Sequence, residues 1–305
     1  MIVIVCPGQG SQTPGFLTPW LQDDANRELI ATYSAAAGLD LARHGTESDA
    51  ETIRDTAVAQ PLIVAAGLLT LKALSDAGAL DRAGGIAGHS VGEITAAAGA
   101  GILGEDDAMQ FVSERAAAMA QAAAVTPTGM SAVLGGEQDA VVAHVESFGL
   151  QPANYNGGGQ IVVAGALDAL ARLADEPPAG SRVIPLQVAG AFHTRYMESA
   201  RDYLSRAAAA FPVDDPRLRI WTNSDGSVVK SGARFIELLV QQVASPVRWD
   251  LCMEAFAADG VTGLIELAPA GALTGLARRG LKGVPTVAVK TPDDIPAALE
   301  LVEQA

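Results

Sequence analysis

The chain opens on four apolar β-branched residues, Ile2-Val3-Ile4-Val5, which stop at Pro7-Gly8. A run with no polar alternation reads as a strand buried on both faces. Residues 59–77 are apolar nearly all round, with Gln60-Pro61 in the expected first turn. That is the pattern of a helix enclosed by a domain rather than one lying on it. Gly85-Ile86-Ala87 is a small, apolar strand end, and residues 93–102 are Ala-rich and helix-forming. Glu93 falls in the first turn of that helix, where the dipole favours an anion. Residues 105–124 read as another long helix.

Beyond Ala124 the elements shorten. Residues 130–134 read as a strand, 139–148 as an amphipathic helix, and 161–165 as a strand behind a Gly-rich turn. Residues 167–174 then read as a short helix, 177–180 as a loop and 182–188 as a strand. This run suits a small α+β unit inserted into a larger one. From Gly190 the larger unit resumes, with helices at 196–211, 233–243 and 250–259 and strands at 218–222, 263–267 and 284–289. Strands alternating with helices imply an α/β architecture. The expected fold is an α/β-hydrolase-like, three-layer, mostly parallel sheet built by residues 1–124 and 190–305. A ferredoxin-like α+β subdomain at 125–189 is inserted into it. No apolar stretch reads as reaching the ~20 residues of a membrane span, so no membrane association is expected.

Composition narrows the class. The chain is 49% hydrophobic and 18% charged, enough to bury a large core. A net charge of −15 argues against nucleic acid, whose phosphates demand Lys and Arg. Cys6 and Cys252 have no C-x-x-C spacing and read as reduced residues of a cytoplasmic protein. The apolar start is too short for a signal peptide and lacks a basic beginning. No metal and no cofactor are expected. Gly8-Gln9-Gly10 could open a dinucleotide-binding G-x-G-x-x-G, but Thr13 and Pro14 stand where the pattern needs its third glycine.

Gly88-His89-Ser90-Val91-Gly92 is a G-x-S-x-G segment between a predicted strand and a predicted helix. In that context the pattern is a nucleophile elbow: the turn lifts the Ser hydroxyl clear of the sheet and aims the next backbone N–H at the reaction site. A serine hydroxyl needs a positioned base, most often His. His89 adjoins Ser90 and is expected to pack beneath the elbow, because successive residues point to opposite faces. His44 lies in a polar stretch, and His144 lies at the edge of a helix in the small unit. His193 follows a strand and precedes a helix, at the carboxyl end of the sheet where open α/β folds collect ligands. Geometry favours His193. On the helix from Glu105, positions 108, 112, 115, 119 and 122 form one stripe of Ala, Val, Arg, Met and Ala. Arg115 therefore sits in an apolar face, either snorkelling or paired structurally, or waiting for a ligand carboxylate.

Taken together, these segments resemble the malonyl-CoA:acyl carrier protein transacylases of bacterial type II fatty acid synthesis. The likeness runs end to end through Pro7-Gly8-Gln9-Gly10-Ser11-Gln12, Gln60-Pro61, Gly88 to Glu93, Arg115 with Met119, and Asn154-Tyr155-Asn156. It continues through Ala191-Phe192-His193 and Ser245-Pro246-Val247-Arg248-Trp249. The resemblance implies a Ser90–His193 dyad, an oxyanion hole from the backbone N–H groups of Gln9 and Val91, and Arg115 on the malonyl carboxylate. It also implies a pocket of Met119, Asn154, Asn156 and Phe192, and a His193 oriented by a backbone carbonyl that maps to Gln242. Phe192 before the histidine and Val91 after the serine fit malonyl rather than a branched acyl group. The implied partners are malonyl-CoA and holo acyl carrier protein. Carrier proteins of this kind are acidic, as this chain is, so docking needs a local basic patch. Arg278, Arg279 and Lys282 form the densest one, which reads equally well as a capped helix end. Two other readings compete. A serine hydrolase would use Asp168 or Asp175 as third triad member, and a non-catalytic carrier-binding module would need neither Ser90 nor His193.

Overall fold

The computed structural model describes residues 1–188 and 190–304. Its strands are β1 (Ile2–Cys6), β2 (Ala83–Gly88), β3 (Thr128–Gly135), β4 (Gln151–Gly157), β5 (Gln160–Ala166) and β6 (Ser181–Pro185), followed by β7 (Ile220–Trp221), β8 (Val228–Val229), β9 (Val247–Arg248), β10 (Gly263–Glu266) and β11 (Thr286–Ala288). They form two sheets. The larger has the order β11-β10-β1-β2-β7-β8 and is parallel up to its last pair, where β8 runs antiparallel to β7. The smaller has the order β6-β3-β5-β4-β9, antiparallel except where β9 joins β4. The fold is thus α/β with mixed sheets.

Period-two alternation explains why β1 carries no polar residue. Ile2, Ile4 and Cys6 enter the main core, while Val3 and Val5 face a second cluster with Trp221, Trp249, Phe256 and Leu273. Both faces of the large sheet are therefore covered by helices, and a strand sandwiched in this way reads as unbroken apolar sequence. One face of the small sheet joins the main core through Met130, Ala132, Ala153 and Val162. Its other face packs Val133, Ile161 and Val163 under the two small helices.

The enclosed helix runs Thr56–Asp76, three residues longer at its start than the pattern predicts. Asp55 caps it by accepting from Ala57 N at 2.8 Å, which leaves Pro61 inside the helix rather than in its first turn. Contrary to the sequence reading, this segment is long and apolar enough to cross a membrane, with mean hydropathy 1.7; yet 78% of that window is buried within the protein, which makes it a core helix. β4 is missing from the sequence reading altogether. Its residues, Gln-Pro-Ala-Asn-Tyr-Asn-Gly, include no β-branched residue, and pairing on both sides with β5 and β9 supplies what propensity does not. The predicted strand at 182–188 is shorter, ending at Pro185.

Candidate active site

Ser90 stands between the end of β2 and the helix Gly92–Gly99. Gly88 and Gly92 pass so closely that a Cβ on Gly88 would lie 2.0 Å from the Gly92 carbonyl carbon. A Cβ on Gly92 would lie 2.1 Å from the Cys6 oxygen. This is why the elbow needs both glycines. Ser90 adopts φ +54° and His193 φ +61°. Two left-handed non-glycine residues meeting at one point mark a site whose backbone strain is held by its surroundings.

The Ser90 hydroxyl lies 2.7 Å from His193 Nε2. His193 Nδ1 is 2.8 Å from the Gln242 carbonyl oxygen. A carbonyl only accepts, so Nδ1 carries the proton and Nε2 is free to take one from Ser90. Among the described residues no carboxylate orients this imidazole. Asp168 and Asp175 sit on the helix Leu167–Asp175 beside the small sheet, which removes the acid that a conventional triad requires. Burial, with the Arg115 charge adding to it, pushes the imidazole down to about 3. His193 is therefore neutral, and able to act as a base, throughout the physiological range.

Arg115 is fully buried on the helix Glu105–Val125. Its Nη1 donates to Gln60 Oε1 at 2.6 Å and its Nη2 to Gln242 Oε1 at 3.0 Å, with Ser90 Oγ 3.4 Å from Nη2. Among the described residues its Nε finds no acceptor and the guanidinium joins no ion pair. Burial lowers it to about 10, so it stays charged at neutral pH. A buried cation held by neutral amides beside the Ser90 hydroxyl is a site suited to a ligand carboxylate.

A cavity of about 430 Å³ opens onto Ser90 and His193, and Gln9, Val91, Met119, Asn154, Asn156 and Phe192 all line it. Neither the Gln9 nor the Val91 backbone N–H has a protein acceptor among the described residues, so both are available to a ligand oxygen. His89 departs from expectation. Rather than packing beneath the elbow, it lines the same cavity and bonds through Nε2 to Asn156 Oδ1 at 2.9 Å, its ring edge-on to Trp249. At the other end, the helix Ala272–Gly280 contributes Leu273, Leu276 and Arg279 to the wall. Arg278, Arg279 and Lys282 are exposed at the end of that helix, and Arg279 reaches Gln160 across the cavity at 3.3 Å.

Sequence reasoning placed Gln60 and Glu93 in the first turns of helices but gave them, and Asn223, no part in the site. Asn223 accepts from Ser90 N at 2.8 Å and donates to Gly88 O at 2.7 Å, holding the elbow from both sides. Glu93 is buried and accepts from Asn223 N and from Gln242 Nε2, each at 2.6 Å. Burial pushes its carboxyl up to about 8, while these donors and the Arg115 charge pull the other way. Gln60 could have been singled out as a polar residue on an otherwise apolar helix, the same signal that marks Arg115.

The histidine state makes a testable prediction. Unfolded, the imidazole takes a proton near its ordinary value of 6.5; folded, it does so only near 3. The unfolded state therefore binds more protons across that window, and stability falls as pH drops from 6.5 toward 3. Melting curves of the wild type and His193→Gln should accordingly converge on acidification. For acylation, the acid limb of kcat/KM should lie well below the ordinary histidine range. The limb of kcat should lie higher, because a bound carboxylate offsets the Arg115 charge that depresses the base.

The chain is similar to known proteins over nearly its whole length. The malonyl CoA-acyl carrier protein transacylase of Mycobacterium tuberculosis (strain ATCC 25618 / H37Rv) is 51% identical over 296 residues, covering 97% of this chain and 98% of that protein. The crystal structure of MCAT from Mycobacterium tuberculosis superposes with a TM-score of 0.94 at 50% identity, over 98% of this chain and 99% of that one. A malonyl-transacylase in complex with its holo type II PKS acyl-carrier protein gives a TM-score of 0.93 at 27% identity, over 98% and 99% of the two chains. The sequence matches the acyl transferase domain family over residues 3–295, and the chain belongs to that family.

Proposed function

We propose that this protein transfers malonyl from malonyl-CoA to the phosphopantetheine thiol of holo acyl carrier protein, through a malonyl-O-Ser90 ester. Its acyltransferase activity supplies fatty acid synthesis, and carriers of polyketide synthesis are chemically equivalent acceptors. The observation that carries the reading is the buried, unpaired Arg115 guanidinium 3.4 Å from the Ser90 hydroxyl. A plain esterase or thioesterase has no use for such a charge, and the orienting group on His193 is a carbonyl rather than an acid.

The chemistry follows from the contacts. His193 Nε2 takes the Ser90 proton as Oγ attacks the thioester carbonyl. The resulting oxyanion is met by the N–H groups of Gln9 and Val91, each such donor contributing roughly 3–4 kcal/mol in comparable sites. The C–S bond breaks, and the coenzyme A sulfur leaves with the proton from His193. In the second half-reaction the carrier thiol gives its proton to His193 and attacks the ester, and Ser90 recovers a proton as it leaves. Arg115 holds the free carboxylate in both halves. Phe192 and Met119 bound the acyl end of the cavity, and Asn154 and Asn156 offer amides to its polar part. Malonyl-CoA with and without holo carrier protein, read as coenzyme A release and as acyl-carrier formation, tests the whole reading. Hydrolysis that is indifferent to the carrier would favour a hydrolase.

We read the large unit, residues 1–124 and 190–305, as α/β-hydrolase-like. Support comes from the parallel sheet covered on both faces and the serine on a strand–turn–helix elbow. We read 125–189 as a ferredoxin-like subdomain. Its strands follow the spatial order fourth, first, third, second, with a helix after the first and after the third. β9, from the large unit, extends that sheet. We place the enzyme in the cytoplasm, where buried unpaired thiols such as Cys6 and Cys252 persist.

Carrier docking is assigned to the basic end of the helix Ala272–Gly280, at the cavity mouth. Arg279 itself lines the cavity, so the cleaner variant reverses Arg278 and Lys282 to Glu. The apparent KM for holo carrier should then rise about tenfold at low ionic strength, and its salt dependence should flatten. Stopped-flow measurement of the two half-reactions separates this from acyl-CoA loading. Normal transfer at low salt would make the cluster a helix-end cap.

A further inference from the structure

Gln242 touches both halves of the reaction machinery. Its carbonyl oxygen orients His193, and its side-chain oxygen accepts from Arg115 at 3.0 Å. A side-chain amide is symmetrical in shape, so something must decide which end faces the guanidinium. Three acceptors surround the Gln242 nitrogen: Glu93 Oε2 at 2.6 Å, Asn223 Oδ1 at 3.1 Å and Ser90 O at 3.3 Å. Glu93 is the nearest and the only ionisable one. Its other oxygen accepts from the Asn223 backbone N–H at 2.6 Å, and the side chain is only 1% exposed.

We propose that Glu93 is a positioning residue for malonyl selectivity: by fixing the Gln242 amide, it aims the Arg115 fork while leaving that fork free for the substrate carboxylate. The inference rests on the reading of Arg115 as the carboxylate clamp. A carboxylate bonded directly to Arg115 would stabilise the buried cation but occupy its donors. Glu93, one amide away and held largely neutral by its burial, needs no charge for this: it fixes the Gln242 amide and takes up only one Arg115 N–H, through Gln242. The unmet Arg115 Nε is what this arrangement leaves over.

Glu93→Gln tests the relay. The Asn223 backbone donor cannot turn, so the new amide gives its single oxygen to that donor and presents NH₂ to Gln242. Gln242 then flips and points its own NH₂ at a guanidinium that can only donate. Malonyl transfer should fall about tenfold or more, the scale of one lost hydrogen bond to a charged group. Acetyl transfer, which has no carboxylate to place, should change far less. In an Arg115→Ala background the same substitution should leave the malonyl-to-acetyl ratio where Arg115→Ala alone puts it, because the group it aims is gone. If Glu93→Gln melts early, Gln242→Met serves instead. It keeps the carbonyl that holds His193, deletes the amide, and should lower the same ratio.

An unchanged or increased malonyl-to-acetyl ratio in Glu93→Gln would overturn the inference. So would an equal loss for both substrates that persists undiminished in the Arg115→Ala background. If Arg115→Ala itself leaves the ratio unaltered, it is the clamp reading that fails.

Discussion

Ser90→Ala should abolish malonyl loading, and His193→Ala should come close to it. A nucleophile and the base that activates it act as one unit, so removing either forfeits most of what both supply, on the order of 10⁴–10⁶-fold in rate. The double variant should be little worse than Ser90→Ala alone. Any residual rate should come from the free N–H groups of Gln9 and Val91 and from the shape of the cavity, which neither substitution touches. Intact-mass and peptide spectrometry of wild type with malonyl-CoA should find the acyl group on the peptide bearing Ser90. Acylation of Ser11 or Cys252 would sink the assignment. Cys252 is a poor competitor in any case, since burial and the neighbouring Glu93 push its thiol well up. A smaller loss in His193→Ala than in His89→Ala would transfer the role of base to the histidine that shares the cavity wall.

How much of this was legible in the sequence depended on whether the signal was local. The elbow is written in five residues because two close backbone approaches exclude every side chain at Gly88 and Gly92. Arg115 could be found because one charged residue interrupted an apolar stripe. β1 read correctly because both its faces are covered, and an unbroken β-branched run fits few environments other than a strand enclosed in this way. What stayed hidden was long-range. β4 has no β-branched residues of its own and takes its conformation from two neighbours, one about ninety positions later in the chain. Asn223 and Gln242 meet Glu93 across separations of 130 and 149 residues. His89 was misplaced because strand alternation was carried one residue too far: the chain leaves extended geometry at the elbow, where Ser90 has φ +54°. Side-chain direction beyond that point is set by the turn rather than by the sheet.

Arg115→Ala should change what the enzyme selects more than whether it works. The guanidinium is the only unpaired cation that the described residues place beside Ser90, and an acetyl group offers it nothing. Removing it should forfeit a buried charge-assisted pair with the malonyl carboxylate, roughly 3–5 kcal/mol, or about two to nearly four orders of magnitude in malonyl transfer. Two opposing effects act on acetyl. Deletion leaves a hole between Gln60 and Gln242, which loosens the wall behind Ser90. It also removes a desolvated charge that an uncharged acyl group cannot compensate, and it lifts the Arg115 contribution that depresses the His193 base. The second effect is specific to the reacting centre and should prevail, so acetyl transfer should hold or rise while malonyl transfer collapses. Arg115→Lys should recover only part of the malonyl rate, because an ammonium cannot form the parallel pair of bonds that a planar fork gives. Competition between malonyl-CoA and acetyl-CoA, with the acyl-enzyme resolved by mass, reads the exchange directly. Equal loss for both substrates together with a lowered melting temperature would make Arg115 a structural cation, and selection of the malonyl carboxylate would then have to fall to a different group on the cavity wall.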